Sequence, residues 1–334
     1  MPTSPPLTKE AAEFVQTLCN RLVQNIEKVV IGKRPVVMSA LTALFAEGHV
    51  LLEDVPGVAK TVLAKSIARS VGCAFQRVQC TPDLLPSDIT GISIFNQKTA
   101  EFEFLPGPVF SHILLADELN RATPRTQSAL LECMAEGQIT LDGTTRHLSR
   151  PFMVFATQNP IEHEGTFPLP EAQLDRFCMR LQMGYPDEGT ELTMLENLRM
   201  RHPVDRLQPV VQVEHIVQAQ ELVKSIFVHE QVRAYIIKLI RATRNHPEIA
   251  LGASPRASLA LFRTAQAAAA MRGWDYVLPD FVKGLAGQIL RHRVILKPEA
   301  RLKKRTDAEI IFEIVEQVPA PTVKGAECAT PSSE

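Results

Sequence analysis

The clearest chemical pattern in the chain is an octet of residues, Asp54-Val55-Pro56-Gly57-Val58-Ala59-Lys60-Thr61. It follows an apolar run, His49–Glu53, and opens a segment with helical spacing, Thr61–Val71. A loop placed in this way turns backbone N–H groups onto a polyphosphate, while a lysine reaches the outer phosphates and a hydroxyl binds Mg²⁺. Lys60 and Thr61 supply those two groups, so the octet predicts a phosphate-binding loop.

The octet departs from the pattern G-x-x-x-x-G-K-[ST] at both glycines, because Asp54 and Ala59 stand there. Taken alone, such an octet can also be a chance match or a structural turn. The carboxylate of Asp54 is expected near the base of the loop, where its charge would oppose a bound nucleotide. Binding of ATP with little hydrolysis therefore stays an alternative.

A second pattern places two acids at the end of an apolar run, His112-Ile113-Leu114-Leu115-Ala116-Asp117-Glu118. A phosphate loop needs a carboxylate on a neighbouring strand to hold Mg²⁺, and we assign that role to Asp117. Glu118 would orient or deprotonate the water that attacks the terminal phosphate. The alternative is an ordinary strand end followed by a solvated acidic pair.

The elements that must position these groups alternate between helix and strand patterns over the first half of the chain. The predicted strands are short apolar runs: His49–Glu53, Gln76–Cys80, Ile113–Asp117, Phe152–Thr157 and Cys178–Gln182. Near-continuous apolar strands separated by helices indicate a parallel sheet that is covered on both faces. We therefore predict an α/β fold with a central parallel five-stranded sheet.

Two β-hairpins interrupt this alternation. The first, Gly91–Phe104, alternates apolar and polar residues around a polar turn. The second, Gln138–Leu148, has Asp142-Gly143 at its turn, which is a strong hairpin signal. Their function is expected to be contact with other molecules, although decoration of the surface remains an alternative.

The helix–strand alternation ends at Gly184-Tyr185-Pro186-Asp187, and the patterns beyond are helical. We predict an α/β nucleotide-binding domain over 1–187, which includes hairpin segments 91–108 and 137–150. A helical lid domain follows over 188–317, and a Pro-rich, disordered tail over 318–334.

Composition limits the function classes. The 334 residues are 45% hydrophobic and carry a formal net charge of −1, so no basic field favours nucleic acid as a permanent partner. No apolar run is long enough for a membrane span, and the first residues lack a signal-peptide pattern. The six cysteines form no C-x-x-C pair and are predicted to be buried thiols. We expect a cytoplasmic protein.

The order of the motifs resembles the AAA+ ATPases, and specifically the MoxR family within the clade that carries an insert in its second helix. The resemblance covers residues from about 10 to 315. The octet is similar to the family's Walker A, and Leu115–Ala122 to its Walker B. Three further segments resemble sensor 1 (Ala156–Pro160), the arginine-finger segment (Leu169–Phe177) and sensor 2 (Gly252–Ala257).

The resemblance implies roles for residues at the matching positions. Asn159 would hydrogen-bond the terminal phosphate or its attacking water, Arg176 would act on the nucleotide of a neighbouring subunit, and Arg256 would face the nucleotide from the lid. Thr61 and Asp117 would hold the metal. Val29–Gly32 resembles the segment that cradles the adenine. Nucleotide contacts would come from Val30, Ile31, Asp54, Val55, Pro56, Gly57, Val58, Ala59, Lys60, Thr61 and Val62.

Each of these residues also has an ordinary explanation. Asn159 before Pro160 can be a turn former, Arg176 a surface ion-pair partner and Arg256 a solvated helix residue. Arg121 either lines the nucleotide interface or pairs with Glu118.

The expected function is a ring-forming Mg-ATP hydrolase that remodels or activates partner proteins, with ATP and Mg²⁺ as cofactors. The resemblance implies a homo-oligomeric, hexameric ring and a protein client of the kind that carries a von Willebrand factor A domain. An ATP-gated scaffold with slow hydrolysis and a nucleic-acid motor of the same fold are the alternatives.

Overall fold

The computed structural model describes residues 9–55, 57–98, 100–159, 165–197 and 203–322. Its strands are β1 (Val50–Glu53), β2 (Phe75–Gln79), β3 (Gly91–Asn96), β4 (Glu101–Pro106), β5 (Ile113–Asp117), β6 (Gln138–Leu141), β7 (Thr144–His147), β8 (Met153–Gln158), β9 (Met179–Leu181), β10 (Ile249–Leu251) and β11 (Ile295–Leu296). Its helices are α1 (Lys9–Ile26), α2 (Arg34–Phe45), α3 (Lys60–Val71), α4 (Pro86–Thr90), α5 (Pro124–Glu136), α6 (Glu171–Leu174), α7 (Glu188–Asn197), α8 (Val213–Lys224), α9 (Glu230–Asn245), α10 (Pro255–Ala270), α11 (Pro279–Leu290), α12 (Pro298–Leu302) and α13 (Asp307–Gln317).

The five strands predicted for the sheet form one parallel sheet in the order β2-β5-β8-β1-β9. The middle strands are buried because their side chains are apolar on both faces, as in Ile113 to Ala116 of β5. The predicted fold class, α/β with a central parallel five-stranded sheet followed by a mostly helical C-terminal part, is confirmed. Because parallel strands end at one edge, the loops after β1, β5 and β8 lie together there.

The core of this sheet packs against α5 and the segment before β9. Leu51, Leu114 and Val154 come from three adjacent strands, and Leu130 of α5 and Phe177 belong to the same buried cluster. This packing fixes the strand ends that carry the acidic pair.

Both hairpins predicted from the sequence form. In the first, β3 pairs with β4 from Gly91 opposite Pro106 to Asn96 opposite Glu101. In the second, β6 pairs with β7, and Asp142 and Gly143 both adopt positive φ angles, 51° and 74°. Positive φ at both turn residues is the requirement of a type I′ turn, which explains the choice of Asp-Gly.

The described residues divide into two compact units, one within 18–218 and the other made of 9–17 with 219–322. The boundary predicted near Asp187 falls within the first unit, and the domain limits stay a prediction. The predicted tail, 318–334, lies mostly outside the described residues, which end at 322.

The described residues of the C-terminal half include a β-ribbon that was not predicted from the sequence. Ile249–Leu251 pairs with Ile295–Leu296 in an antiparallel two-stranded ribbon. Strands of three and two residues are too short to show the alternation from which strands are recognised in a sequence.

Candidate nucleotide site

The loop between β1 and α3 has the backbone of an anion-binding turn. Ala59 adopts a left-handed conformation with φ 63° and ψ 23°, and Gly57 has φ 86°. Non-glycine residues are uncommon in the left-handed region of backbone conformation, so we infer that the surrounding loop holds Ala59 in it. Among the described residues no side-chain hydrogen bond caps α3, and the first N–H groups of a helix have no acceptor within the helix itself. A polyphosphate fits these donors.

The loop residues differ in exposure. Gly57 is exposed with open space around its Cα, and Val58 is buried. Pro56 lies outside the described residues. The half-buried members are Asp54, Val55, Ala59, Lys60, Thr61 and Val62.

Lys60 and Asp54 contact each other through the Lys60 ammonium group and the Asp54 backbone, not as an ion pair with the carboxylate. Lys60 Nζ donates to the backbone carbonyl of Asp54 at 2.8 Å. The Asp54 carboxylate instead accepts from the N–H groups of Val55 at 2.9 Å and Gly184 at 2.6 Å. Two N–H dipoles therefore face the negative charge of Asp54. They reduce the repulsion expected between this carboxylate and the phosphates of a bound nucleotide.

The segment expected to cradle the adenine precedes α2. Val30 is buried and Ile31 half-buried. The adjacent Val29 packs with Val204, Leu207 and Val62, the last from the first turn of α3. Apolar packing thus joins this segment to the start of the helix that follows the phosphate loop.

The acidic pair at the end of β5 is held by a threonine of β8. Thr157 is buried, and its hydroxyl donates to Asp117 Oδ1 at 2.6 Å while accepting from the Glu118 N–H at 2.8 Å. Glu118 has φ 56° and ψ 49°, a strained conformation for a residue with a Cβ. Thr157 therefore fixes both acids at once.

A second set of polar contacts comes from β2, the edge strand. Arg77 binds Asp117 Oδ2 through Nε at 3.0 Å and Nη2 at 2.8 Å, and Nη2 also reaches Gln79 Oε1 at 2.7 Å. Since Gln79 Oε1 accepts from Arg77, its amide nitrogen faces Glu118 Oε2, to which it donates at 2.8 Å. Arg121 Nη1 donates to the same Glu118 oxygen at 3.2 Å, so the structure pairs Arg121 with Glu118.

Sequence analysis missed Thr157, Arg77 and Gln79 as site residues. Thr157 stands in the segment similar to sensor 1, but the pattern gives it no role. Arg77 and Gln79 are two residues apart on one strand, so both point to the same face. That spacing of polar residues in a short strand was the available signal.

The residues present fit a Mg²⁺ ion near the loop. Thr61 offers a hydroxyl and Asp117 a carboxylate, and oxygen ligands suit this cation. Both Asp117 oxygens already have protein partners in Thr157 and Arg77. A metal bound directly through Oδ2 would have to compete with the Arg77 guanidinium.

The other predicted site residues occupy separate positions. Asn159 is buried directly after β8, at the edge that carries the acidic pair. Arg176 is half-buried, and its Nη1 donates to the carbonyl of Leu131 in α5 at 2.6 Å. Arg256 lies in the first turn of α10, in the other compact unit, where its side chain is exposed and Ser254 caps the helix.

The cysteines of the described residues are free thiols. Burial raises the pKa of Cys80 to about 12, and the charges of Asp117 and Glu118 raise it further. The pKa values of Cys73 and Cys133 are also raised to about 12, mainly by burial. These three thiols therefore stay protonated near neutral pH. Cys328 lies outside the described residues.

Comparison with known proteins gives two family matches. Residues 49–179 match the ATPase family associated with various cellular activities (AAA), and residues 241–314 match the AAA lid domain. The first range contains the phosphate loop, the acidic pair and Arg176, and the second contains Arg256.

Several relatives match over nearly the whole chain. The chain is 40% identical to "Chaperone MoxR1" of Mycobacterium tuberculosis, over 94% of this chain and 84% of that protein. It is 48% identical to YeaC of Bacillus subtilis, over 94% and 98% of the two chains, and 31% identical to "Protein MoxR" of Methylorubrum extorquens, over 90% and 94%. A crystal structure from Cytophaga hutchinsonii, assigned as an ATPase, superposes with a TM-score of 0.86 at 39% identity, covering 94% of this chain and 98% of that one.

No helix within the described residues combines the length and the apolar character needed to cross a bilayer.

Proposed function

The chain belongs to the MoxR family of AAA+ ATPases, and we propose that it is a Mg²⁺-dependent ATP hydrolase that acts on partner proteins. Membership of this family supports ATPase activity in general terms. The finer assignment rests on the residues around the phosphate loop and the acidic pair. The observation that carries it is the placement of Asp117 and Glu118 on one buried threonine, at the sheet edge that also carries the loop.

The proposed mechanism assigns binding and water activation to different residues. Lys60 and the N–H groups of the first turn of α3 bind the phosphates, and Val30 and Ile31 contact the adenine. Thr61 and Asp117 would hold Mg²⁺, which would supply charge stabilisation to the transferring phosphoryl group. Glu118 accepts the proton of the attacking water, and Asn159 orients that water.

Glu118 must leave its donors to act as a base. In this structure its Oε2 accepts from both Gln79 and Arg121. These two hydrogen bonds occupy the oxygen that would take the proton of the attacking water. We therefore assign the structure to a resting arrangement, in which turnover is slow until Glu118 is released.

Arg176 completes the site of a neighbouring subunit in this proposal. A cation that reaches the transferring phosphate offsets charge in the transition state. Each subunit would give Arg176 to the next, and repeated head-to-tail contacts close into a ring, proposed as a hexamer. Arg256 of α10 would transmit nucleotide state to the helical lid.

Protein remodelling is proposed as the output. The name of the mycobacterial relative, "Chaperone MoxR1", supports this direction. The first hairpin exposes Phe95 and Phe102, which contact each other edge to face with ring centroids 5.3 Å apart. Exposed aromatic residues at a hairpin tip suit contact with a protein client, and a von Willebrand factor A domain protein is the proposed client class.

A second candidate function is an ATP-gated scaffold that binds nucleotide and barely hydrolyses it. The contacts of Gln79 and Arg121 with Glu118 favour it, because they restrain the proposed base. The two candidates differ only in turnover, so one assay separates them.

The experiment is titration with a fluorescent ATP analogue together with phosphate release by the purified chain, with and without Mg²⁺. The hydrolase predicts Mg²⁺-dependent phosphate release that Lys60→Ala abolishes together with binding. Tight binding without phosphate release would favour the scaffold. Absence of nucleotide binding by the wild-type chain would contradict both functions.

A further inference from the structure

We infer that Asp54 is a positioning residue, which fixes the base-binding side of the nucleotide pocket relative to the phosphate loop. The inference rests on the proposed function, since it concerns how ATP is recognised. It assigns Asp54 to recognition of the nucleoside rather than of the phosphates. Three successive contacts carry the argument.

The first contact joins the phosphate loop to the segment after β9. Asp54 Oδ2 accepts from the Gly184 N–H at 2.6 Å, and Oδ1 accepts from the Val55 N–H at 2.9 Å. Gly184 has φ 63°, a conformation that favours glycine. The backbone therefore turns at Gly184 in a way that brings its N–H to the carboxylate. The phosphate-loop pattern has glycine at position 54, and a glycine has no side chain that could accept this hydrogen bond.

The second contact joins that segment to the residues before α2. Lys33 Nζ donates to the carbonyl of Tyr185 at 2.8 Å, one residue after Gly184. Lys33 directly follows Val29-Val30-Ile31-Gly32, the segment proposed to cradle the base. The backbone at Gly184 and Tyr185 is thus held on one side by the phosphate loop and on the other by the base-binding segment.

The third contact closes this arrangement at Gly32. A Cβ at Gly32 would stand 2.9 Å from Thr190 Oγ1, so the base-binding segment lies tightly against the start of α7. Thr190 is itself fixed by Asp187, whose Oδ1 accepts from its N–H at 2.8 Å. These bonds to Thr190 and, to a lesser extent, the charge of Lys33 lower the pKa of Asp187. Asp54 therefore acts on the base-binding segment through Gly184, Tyr185 and Lys33.

A positioning role for Asp54 and simple charge repulsion predict opposite changes in ATP affinity when the carboxylate is removed. If the Asp54 carboxylate mainly repels phosphates, its removal tightens the binding of every polyphosphate. If it positions the base-binding segment, its removal weakens ATP binding and leaves a ligand without a base unaffected. Asp54→Asn is the suitable change, because an amide presents a donor where the carboxylate accepts two N–H bonds.

The experiment measures the affinity of the full chain for ATP and for inorganic tripolyphosphate by calorimetry, without added metal. We expect Asp54→Asn to weaken ATP binding by about tenfold, the size of one lost charge-assisted hydrogen bond, and to change tripolyphosphate binding by less than about twofold. Asp54→Gly, which restores the usual glycine, should do the same. Retained tripolyphosphate binding shows that the loop is folded in both variants.

Two further variants sharpen the test. Glu136→Gln removes one negative charge from an exposed position at the end of α5 and should change neither affinity. Lys33→Met should lower ATP affinity alone, and adding it to Asp54→Asn should cause no further loss, because both act through one set of contacts.

Tighter binding of both ligands to Asp54→Asn, or equal weakening of both, would overturn the inference while the proposed function stands. So would an unchanged ATP affinity. A wild-type chain that binds neither ligand would instead remove the proposed function and the inference with it.

Discussion

Arg77 donates two hydrogen bonds to a single oxygen of Asp117, from Nε at 3.0 Å and from Nη2 at 2.8 Å. The Asp117 side chain is 14% exposed and the Arg77 side chain 48%, so solvent reaches this pair mainly from the arginine side. Through the bond from Arg77 to Gln79, the pair also determines which end of the Gln79 amide faces Glu118. One arginine therefore links the proposed metal ligand to the proposed base.

The first prediction concerns this arginine. Arg77→Ala removes a cation that competes for Asp117 Oδ2 and releases Gln79 from its fixed orientation. We expect the half-saturating Mg²⁺ concentration for ATP binding to fall by about threefold or more, and basal phosphate release to rise, as expected for losing a modest competing charge interaction.

Gln76→Ala, at an exposed neighbouring position of β2, is the control and should change neither quantity. An unchanged Mg²⁺ requirement together with slower turnover would show that Arg77 supports the fold or the reaction directly.

The fold class could be predicted from the sequence, and the residues proposed to bind phosphate and metal could be recognised there, because both follow local rules. Lys60 and Thr61 stand where a strand passes into a helix, and Asp117 and Glu118 end an apolar strand. Each of these patterns lies within about ten residues, so no tertiary information is needed to recognise it.

The contacts that hold the acids could not be predicted in the same way. Gln79 reaches Glu118 only because β2 pairs with β5 in parallel, with Gln79 opposite Asp117. Thr157 reaches both acids only because β8 is the other neighbour of β5. Strand order is a property of the whole sheet, and no local spacing encodes it.

The direction of the Asp54 side chain could not be predicted from the sequence for a different reason. The sequence places a carboxylate at the loop but contains no indication of which way it points. The partner that determines its direction, Gly184, lies 130 residues away in the chain.

The second prediction concerns action across subunits. Arg176→Ala should bind ATP with unchanged affinity and lose phosphate release by about 10³-fold, the order found when an arginine finger is removed. Mixing Arg176→Ala subunits with Lys60→Ala subunits should restore part of the activity, because an intact Lys60 pocket then meets an intact Arg176.

The measurement is phosphate release against mixing ratio, with mixed assemblies verified by mass. Mixed assemblies that stay inactive at every ratio would contradict action in trans.

The third prediction concerns the first hairpin. Phe95 and Phe102 are 54% and 76% exposed, whereas Phe104 packs edge to face on Phe110 and under the guanidinium of Arg146. Replacing Phe95 and Phe102 by serine should leave ATP binding and assembly near wild type while removing client-dependent function in a deletion strain.

Leu302→Ser is the matched control, since Leu302 is 85% exposed and lies outside both hairpins. Full rescue by the Phe95 and Phe102 variant would show that the hairpin does not engage the client.

The fourth prediction concerns pH and His49. Its Nδ1 accepts from the Val154 N–H and its Nε2 contacts the Met134 carbonyl, and burial lowers its pKa to about 4. Because the folded pKa lies below the unfolded value of about 6.5, the neutral ring stabilises the fold above that value, and this stabilisation is lost as the pH falls towards 4.

Between pH 7 and pH 5 the wild type should lose about 2 kcal/mol of unfolding free energy relative to His49→Gln, whose side chain does not titrate. Urea unfolding of both proteins at the two pH values measures this difference. Equal losses in the two proteins would show that His49 does not titrate on unfolding in this range.

The most direct test of the whole account compares Glu118→Gln with wild type in nucleotide binding and phosphate release. The amide keeps the size of the side chain but cannot accept the proton of the attacking water. The account predicts wild-type ATP affinity with phosphate release reduced by about 10²- to 10⁴-fold, the usual contribution of a general base. Turnover at the wild-type rate by Glu118→Gln would contradict the assignment of Glu118 and the hydrolytic mechanism built on it.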